Sequence, residues 1–334
     1  MTIDRIDRHR RLTTVLGSHS DIRLSELIEQ ARPNSVGVGG GTAIAEVGGT
    51  SVFVKRIPLT DRELAHPGST ANLFELPLFC HYGVGGPSFN AWRELAANVE
   101  VTESVLRGAT RAFPMLHHWR VLPGRAPIAD DHADIEAVVA ANDGHPAVRV
   151  RLAASAAASW SLVLFSEYVP RSIVEWSRVD PQGKAGTVER QFSQIVTFLR
   201  ERELLHMDAH FGNLRVEGDD IRLADFGLAT SPRFELSPDE REFVRRHVTH
   251  DADYAAMRLV NWLVTEVCGV PMPEVGGPVE RNEYVARCAA GDVPQDVSPE
   301  VAAILRRHAP AAARMNAFYW KLFDGEVHTP YPGP

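Results

Sequence analysis

The chain has 334 residues, 44% hydrophobic and 23% charged, which is the composition of a folded protein with a sizeable core. Its 35 basic and 43 acidic residues give a formal net charge of −8, so a basic surface for nucleic acid or an anionic membrane is not expected. The three cysteines lie far apart without a CxxC pair, which predicts neither disulfides nor a zinc site and fits a reducing, cytoplasmic setting.

The first part of the chain is predicted to be a polar arm followed by a hairpin. Residues 1–33 are rich in Arg and Asp, and we expect them to lead into a short amphipathic helix. Because Met1 to Leu12 lack the apolar run of a signal peptide, no secretory leader is expected. Ala43 to Val47 and Ser51 to Ile57 are predicted strands, and the Gly48-Gly49 pair between them is typical of a hairpin turn.

The middle of the chain alternates regular elements with two segments of weak pattern. Residues 58–88 and 123–150 contain many turn formers and are predicted to be insertions. Phe89 to Leu106 has apolar residues at helical spacing, which predicts a helix. Phe113 to Leu122 and Trp160 to Val169 are predicted strands. Since the chain has no apolar run of about 18 residues, we expect no membrane-spanning helix.

The second half is predicted to be mainly helical. A helix is expected over Val188 to Leu205, then a loop over His206 to Asn213 and two short strands over Leu214 to Val216 and Ile221 to Ala224. Further helices are predicted over about 238–248, 251–268, 280–290 and 298–322. The element order therefore predicts an α+β fold with a strand-rich first part and a helix-rich second part.

The loop between these elements carries the strongest chemical signal. The segment His206-Met207-Asp208-Ala209-His210-Phe211-Gly212-Asn213 has the form H-x-D-x-x-x-x-N, and Asp225-Phe226-Gly227 begins 17 residues after Asp208. The two motifs are similar to the catalytic and metal loops of phosphotransferases, whose reaction needs an acceptor hydroxyl held in line and cations that neutralise the phosphate oxygens. In this interpretation Asp208 orients the hydroxyl and accepts its proton. Asn213 and Asp225 offer the oxygen ligands that magnesium prefers.

These motifs resemble the catalytic and metal loops of the protein-kinase-like superfamily, which includes protein kinases and the aminoglycoside and choline phosphotransferases. The resemblance covers about Gly37 to Asp225. The chain is similar to bacterial proteins described as protein kinase family members. It implies a bilobal fold with an antiparallel-sheet N-lobe over 34–165, a hinge over 166–170 and a mainly helical C-lobe over 171–334. It also implies ATP and Mg²⁺ as cofactors, with ATP between the lobes.

The resemblance assigns roles to a lysine and a glutamate. Lys55 interrupts the apolar strand and resembles the lysine that holds the α- and β-phosphates. The alternative is a lysine on the solvent face of an edge strand, a position that Arg56 can also take. Glu94, in the predicted helix, resembles the carboxylate that pairs with this lysine. Glu63 and Glu75 are alternatives in the weakly patterned insertion, and Glu94 can also be an ordinary solvated glutamate.

A glycine-dense stretch precedes Lys55. Gly37, Gly39, Gly40, Gly41 and Thr42 resemble the glycine-rich loop of the family, with threonine at the third glycine position. Glycines there would let backbone N–H groups approach phosphate oxygens closely. The alternative is a flexible turn between two strands.

Phe165 to Pro170 resembles the kinase hinge. The resemblance implies that the carbonyl of Glu167 and the N–H of Val169 bind the edge of adenine. Because these are backbone contacts, side-chain identity supports them weakly, and the segment can equally be an ordinary strand end.

The identity of the phosphate acceptor depends on a few departures from the protein-kinase pattern. Met207 stands where regulated kinases carry arginine, so no control by a phosphorylated activation loop is expected. His210 resembles the small-molecule phosphotransferases, whereas Asp225-Phe226-Gly227 is typical of protein kinases. Acidic residues after the metal loop suggest a rim for a cationic acceptor or, alternatively, a solvated helix face: Glu235, Asp239, Glu240, Glu242, Asp251 and Asp253. Asp251 or Asp253 is also a candidate N-cap.

The sequence therefore predicts an ATP- and magnesium-dependent kinase that phosphorylates a hydroxyl. Ser or Thr of a protein or peptide is slightly preferred as the acceptor over a small molecule of the antibiotic type. The alternative from another class is a pseudokinase that binds nucleotide without turnover. Neither a nucleic-acid partner nor a membrane partner is expected.

Overall fold

The computed structural model describes residues 3–37, 40–273 and 276–333. Its fold is α+β, as predicted, with a five-stranded antiparallel sheet and many helices. The chain divides into two compact units, the first made of Met1–Val169 and Ala224–Arg241 and the second of Pro170–Leu223 and Glu242–Pro334.

The first unit begins with two helices, α1 (Ile3–Ser18) and α2 (Asp21–Gln30). The predicted short amphipathic helix is confirmed as α2, whereas the predicted polar arm was wrong, because that segment forms α1. Leu12, Leu16 and Leu24 are fully buried, and they pack against strand residues that include Val54 and Phe165. The many charged residues of α1 conceal this narrow apolar stripe in the sequence, although Leu12 and Leu16 have the i, i+4 spacing of one helix face.

The sheet of the first unit has the order β1-β2-β3-β5-β4, and every neighbouring pair is antiparallel. Its strands are β1 (Arg32–Gly37), β2 (Gly40–Val47), β3 (Thr50–Leu59), β4 (Leu116–Pro123) and β5 (Trp160–Glu167). In this register Lys55 of β3 lies opposite Leu164 of β5 and Thr42 of β2. Strand β1 was not predicted. It is exposed throughout and contains Pro33 beside a register shift, which an edge strand tolerates.

The two predicted insertions contain short helices and pack together as a satellite core. The first holds α3 (Asp61–Ala65) and a 3-10 helix (Leu78–Tyr82), and it is followed by the predicted helix, α4 (Ala91–Leu106). The second holds a 3-10 helix (Asp130–His132), α5 (Ile135–Ala141) and α6 (Pro146–Ala157). The buried residues that join them are Phe74, Leu76, Cys80, Phe89, Val138, Val139, Val148 and Leu152.

The second unit is mainly helical. It opens with β6 (Arg171–Ser172), α7 (Ile173–Ser177) and α8 (Pro181–Glu201), followed by a 3-10 helix (Phe211–Asn213), β7 (Leu214–Glu217) and β8 (Asp220–Leu223). The three strands form a small antiparallel sheet in chain order. Helix α9 (Pro238–Arg246) begins in the first unit and ends in the second. It is followed by α10 (His250–Glu266), α11 (Val279–Ala289) and α12 (Pro299–Phe323).

The helices and hairpin predicted for this half of the chain are confirmed within a few residues at most of their ends. Helix α8 is the exception, since Pro181 begins it about two turns earlier than predicted, after the N-cap Asp180. Within the described ranges, no helix combines the length and apolar character needed to cross a bilayer.

Candidate active site

A three-membered charge cluster in the first unit contains three of the predicted site residues. Lys55 on β3 places its Nζ 2.8 Å from Oε1 of Glu94 on α4 and 2.7 Å from Oδ1 of Asp225. The side chains of Lys55 and Glu94 are 7% and 4% exposed, whereas that of Asp225 is 46% exposed. The cluster therefore consists of a buried pair, Lys55 and Glu94, and one carboxylate, that of Asp225, which reaches solvent. Lys55 does not lie on the solvent face, and Glu94 is not a solvated glutamate.

The cluster holds two carboxyl groups for one ammonium group. Burial lowers the pKa of Lys55, but the charges of Asp225 and Glu94 outweigh burial and raise this pKa above its usual value, so Lys55 is a cation. Burial raises the pKa of Glu94 to about 7. Lys55 opposes this rise and the charge of Asp225 adds to it. The cluster therefore contains more carboxyl groups than ammonium groups. Asp225, whose side chain is exposed to solvent, is the carboxylate of the cluster that can bind a further cation.

Glu63, one of the alternatives to Glu94, is also a buried carboxylate but has structural partners. Its Oε1 accepts a hydrogen bond from the N–H of Ala91 at 2.8 Å, and its Oε2 accepts from Arg151 at 2.9 Å and from Thr60. It therefore joins α3, the start of α4 and α6. Glu75, the other alternative, is exposed.

The backbone around Asp225 is shaped for a tight loop. Asp225 has a φ of 67°, in the left-handed region that few residues other than glycine adopt, and its Oδ1 accepts a hydrogen bond from the N–H of Gly227 at 3.2 Å. Phe226 is 1% exposed and packs its ring against that of Phe113, with 5.9 Å between the centroids. The buried aromatic ring anchors the loop, and the carboxylate stays at the surface.

The second unit contains the other predicted residues, Asp208 and Asn213, in the loop before β7. Asn213 donates from Nδ2 to the carbonyl of Asp208 at 2.9 Å, so its Oδ1 is the side-chain atom that can coordinate a metal. His210 accepts from the N–H of Gly212 at 2.9 Å through Nδ1. In the neutral ring the proton is therefore on Nε2, which lies 3.6 Å from Oδ2 of Asp208.

Asp251 holds the base of this loop and was not identified from the sequence in that role. Its carboxylate accepts hydrogen bonds from the N–H groups of His206 at 2.6 Å and Met207 at 2.9 Å. Burial raises the pKa of Asp251, but the hydrogen bonds and charge of His250 and His206 outweigh burial, so the pKa lies below its usual value. Met207 is fully buried with a φ of 66°. The predicted N-cap role was wrong, since the N-cap of α10 is Thr249.

The described residues of the predicted phosphate loop lie at the end of β1 and the start of β2, and Gly39 falls outside the described residues. Gly37 ends β1 and Gly40 begins β2. Gly40 has a φ of 117°, and a Cβ on it would lie 2.0 Å from the carbonyl oxygen of Arg56. A Cβ on Gly41 would lie 2.5 Å from the ring of Pro127. Both glycines are therefore required by packing alone.

Thr42, the last residue of this stretch, uses its hydroxyl within the sheet edge. The hydroxyl accepts a hydrogen bond from the N–H of Ser35 at 3.1 Å and donates to its carbonyl at 3.0 Å. These contacts explain a threonine here without a ligand.

The hinge-like segment ends the first unit at Val169, which is buried. Glu167 donates its N–H to the carbonyl of Met115 at 2.8 Å, and its buried carboxylate accepts hydrogen bonds from Arg5 and Arg8. No local sequence signal identifies these arginines as partners of Glu167, because they lie about 160 residues away in the chain.

Most of the predicted acidic rim is used inside the two units. Glu235 accepts from Ser69 and Glu242 pairs with two arginines on α9, while Tyr331 donates to Asp253. Glu240 and Asp251 are buried with partners of their own. Electrostatic recognition of a cationic acceptor therefore has little support from these side chains.

Among the described residues, no group of three or more His, Cys, Asp or Glu side chains is placed to hold a metal ion. A magnesium ion at Asp225 would thus depend on few protein ligands, which agrees with the preference of Mg²⁺ for water and phosphate oxygens. A scan against protein-family models and a search of the curated proteins both found no match to this chain. The functional argument therefore depends on the motifs and on the geometry of their residues.

Proposed function

We propose that this protein is an ATP- and magnesium-dependent phosphotransferase with a bilobal protein-kinase-like fold that acts in the cytoplasm. The observation that carries the proposal is the cluster of Lys55, Glu94 and Asp225. Its members come from a strand, a helix and a distant loop, and they meet with 2.7 and 2.8 Å contacts. A buried lysine shared by two carboxylates is an expensive arrangement for stability alone, whereas it suits a site for phosphate and a cation.

In the proposed site each member of the cluster has a separate role. Glu94 holds the ammonium group of Lys55 in place, and Lys55 would contact the phosphate oxygens of ATP. Asp225, with its half-exposed side chain, and Asn213, through Oδ1, would hold Mg²⁺. The metal would supply positive charge against the phosphate oxygens. Gly37 to Thr42, Glu167 and Val169 are retained as proposed backbone contacts to the nucleotide.

Asp208 is the proposed acceptor-side residue. The acceptor hydroxyl oxygen would form a bond to the γ-phosphorus as the bond from that phosphorus to the β–γ bridging oxygen breaks, and ADP leaves with that oxygen. Asp208 would orient the hydroxyl and take its proton. Two hydrogen bonds to Asp251 hold the start of its loop, and Asn213 at the end of the loop donates to the carbonyl of Asp208. This rigidity supports a positioning role.

For the acceptor, a Ser or Thr hydroxyl of a protein or peptide is slightly preferred, because Asp225-Phe226-Gly227 has the protein-kinase form. A small-molecule hydroxyl is the second candidate. The observation in its favour is His210, whose ring is fixed by Gly212 with Nε2 toward Asp208. A histidine two residues after the catalytic aspartate resembles the pattern of the small-molecule phosphotransferases.

The test is transfer of label from γ-labelled ATP with Mg²⁺, to the chain itself, to host proteins and to a small-molecule fraction. Asp208→Ala is expected to reduce transfer about 10²–10⁴-fold. Lys55→Met is expected to weaken ATP binding. Arg56→Met is the matched control, because Arg56 is the neighbouring cation on β3 and bonds the carbonyl of Arg125 instead.

The outcomes separate the candidates. Label on proteins supports the protein-kinase assignment, and label only in the small-molecule fraction reverses the preference. ATP binding with no transfer above the Asp208→Ala background identifies a pseudokinase. If the wild-type protein binds no ATP, the proposed function is wrong.

A further inference from the structure

The N-terminal helix α1 places a buried arginine at the end of strand β5. The side chains of Arg5 and Glu167 are 6% and 4% exposed. Arg5 donates from Nε to Oε1 of Glu167 at 2.9 Å and from Nη2 to Oε2 at 2.6 Å. This bidentate pairing fixes the orientation of the guanidinium group relative to the carboxylate. Arg8 also donates from Nη2 to Oε1 of Glu167, at the longer distance of 3.3 Å, and its side chain is 28% exposed.

The same guanidinium also holds the segment before β4. Its Nη2 donates to the carbonyl of Phe113 at 2.6 Å and its Nη1 donates to that of Arg111 at 3.3 Å. The N–H of Met115 donates to Oε2 of Glu167 at 3.3 Å, which closes the network. One side chain from α1 therefore ties the end of β5 to residues 111–115.

This network is in contact with the loop that contains Asp225 and Phe226. Phe113, whose carbonyl Arg5 holds, is fully buried and packs its ring against that of Phe226. Phe226 is adjacent in the chain to Asp225, whose carboxylate contacts Lys55. Arg5 is thus connected through two contacts to the charge cluster and through one contact to the proposed adenine segment.

The ion pair is not needed to attach α1 to the sheet. Leu12 and Leu16 of α1 are buried in one apolar cluster with side chains of β2, β3, β4 and β5, which provides the apolar contact for docking. Burying a guanidinium and a carboxylate contributes little net stability, because desolvation offsets their attraction. What the pair does provide is a fixed geometry for the end of β5 and for residues 111–115.

We propose that Arg5 is a positioning residue of the nucleotide site, which makes helix α1 part of that site. It fixes the backbone of Glu167 for adenine and supports Phe113 beneath Phe226. This inference rests on the proposed phosphotransferase function. It predicts that the N-terminal helix affects ATP affinity without any contact to ATP.

The test measures the Kd for MgATP by calorimetry in matched variants. Arg5→Met is expected to raise the Kd about tenfold, because the end of β5 and residues 111–115 lose their common anchor. Arg5→Lys keeps the positive charge but cannot form the bidentate pairing, and it is expected to bind MgATP more tightly than Arg5→Met and less tightly than the wild-type protein. Glu167→Gln leaves the backbone contact atoms unchanged and is expected to raise the Kd similarly, which covers the case in which Arg5→Met fails to fold.

Two control variants separate positioning from general stability. Leu12→Ala is expected to lower the melting temperature with the Kd unchanged, since it loosens docking and keeps the guanidinium. Arg8→Met is expected to change neither quantity appreciably. Hydrogen exchange without nucleotide is expected to rise at residues 111–115 and 165–169 in Arg5→Met, and not in Leu12→Ala.

The possible failures are distinguishable. If the wild-type protein binds MgATP and Arg5→Met binds it equally well, the positioning role is wrong and the proposed function stands. The role is also wrong if the Kd rises in Leu12→Ala as much as in Arg5→Met. If the wild-type protein does not bind MgATP, the proposed function fails and this role fails with it.

Discussion

The buried ion pair between Arg93 and Glu240 allows a sharp test of what holds helix α4. Nη2 of Arg93 lies 2.5 Å from Oε1 of Glu240, and the two side chains are 2% and 3% exposed. Arg93 also donates from Nε to the carbonyl of Thr70 at 2.6 Å. Arg93 precedes Glu94, the partner of Lys55. The pair therefore links α4 to the segment that follows the Asp225 loop.

The perturbation is Glu240→Gln, which keeps the shape of the side chain and removes its charge. Among the described residues, Nη1 of Arg93 has no hydrogen-bond partner, and the change would also take the charge of Glu240 away from the buried guanidinium. Removing one partner of a buried pair costs roughly 3–5 kcal/mol. The glutamine oxygen can still accept from Arg93, but its NH₂ group would then face the N–H of Ser237, which now donates to Oε2 at 2.9 Å. We expect a loss of about 3 kcal/mol.

Arg93→Met is expected to lose at least as much, since it also removes the contact with the ring of Phe89, 5.2 Å from the guanidinium carbon. The double variant buries neither charge. It is therefore expected to be more stable than the sum of the single changes predicts, by about 2–3 kcal/mol. This coupling energy is the quantity that the buried geometry determines.

Urea unfolding of the four proteins gives these free energies. The exposed pair of Glu242 and Arg245 is the control, and its coupling is expected to be at most about 1 kcal/mol. Additive effects at Arg93 and Glu240, or single losses below about 1 kcal/mol, would refute the reasoning. Weakened MgATP binding in Glu240→Gln would further connect the pair to Glu94.

Three further predictions concern the charge cluster, the Asp208 loop and the glycines that end β1 and begin β2. Because the pKa of Glu94 is raised from 4.5 to about 7, wild-type stability should fall relative to Glu94→Gln as pH rises through that interval, in paired urea titrations. Asp251→Asn should lose about 2–4 kcal/mol and most phosphate transfer, and a fully active variant would contradict this. Gly40→Ala should destabilise by more than about 2 kcal/mol in thermal unfolding, whereas Gly37→Ala, with open space around its Cβ, should not.

The residues of the charge cluster could be predicted because each has a local sequence signal. Lys55 interrupts an apolar strand, Glu94 lies on a regular helix, and Asp225 begins a motif of fixed spacing after Asp208. Helical periodicity predicted that Glu94 lies on a helix, and the family resemblance paired it with Lys55 in preference to Glu63. The burial of Glu63 itself could not be predicted, since its partner Arg151 lies 88 residues away in a segment with a weak pattern.

The residues that were missed act through distant partners. Arg5 meets Glu167 across 162 residues, and Asp251 meets the backbone of His206 across 45. Nothing in the sequence around Arg5 distinguishes it from the other arginines of α1. Asp251 looked like a helix cap because acidic residues are common at helix starts, and only the structure shows that its carboxylate faces the Asp208 loop.

The first turn of α4 shows why these hidden contacts matter for the site. The N–H of Ala91 donates to the buried carboxylate of Glu63, and two residues later Arg93 pairs with Glu240. Glu94 follows at once and contacts Lys55. Buried charges add little net stability, so the buried contacts of Glu63, Arg93 and Glu94 are poorly explained as a means of holding the helix to the core. They do fix the rotation of α4 about its own axis. That rotation decides whether Glu94 faces Lys55, and therefore whether the ammonium group is held where the proposed phosphates would bind.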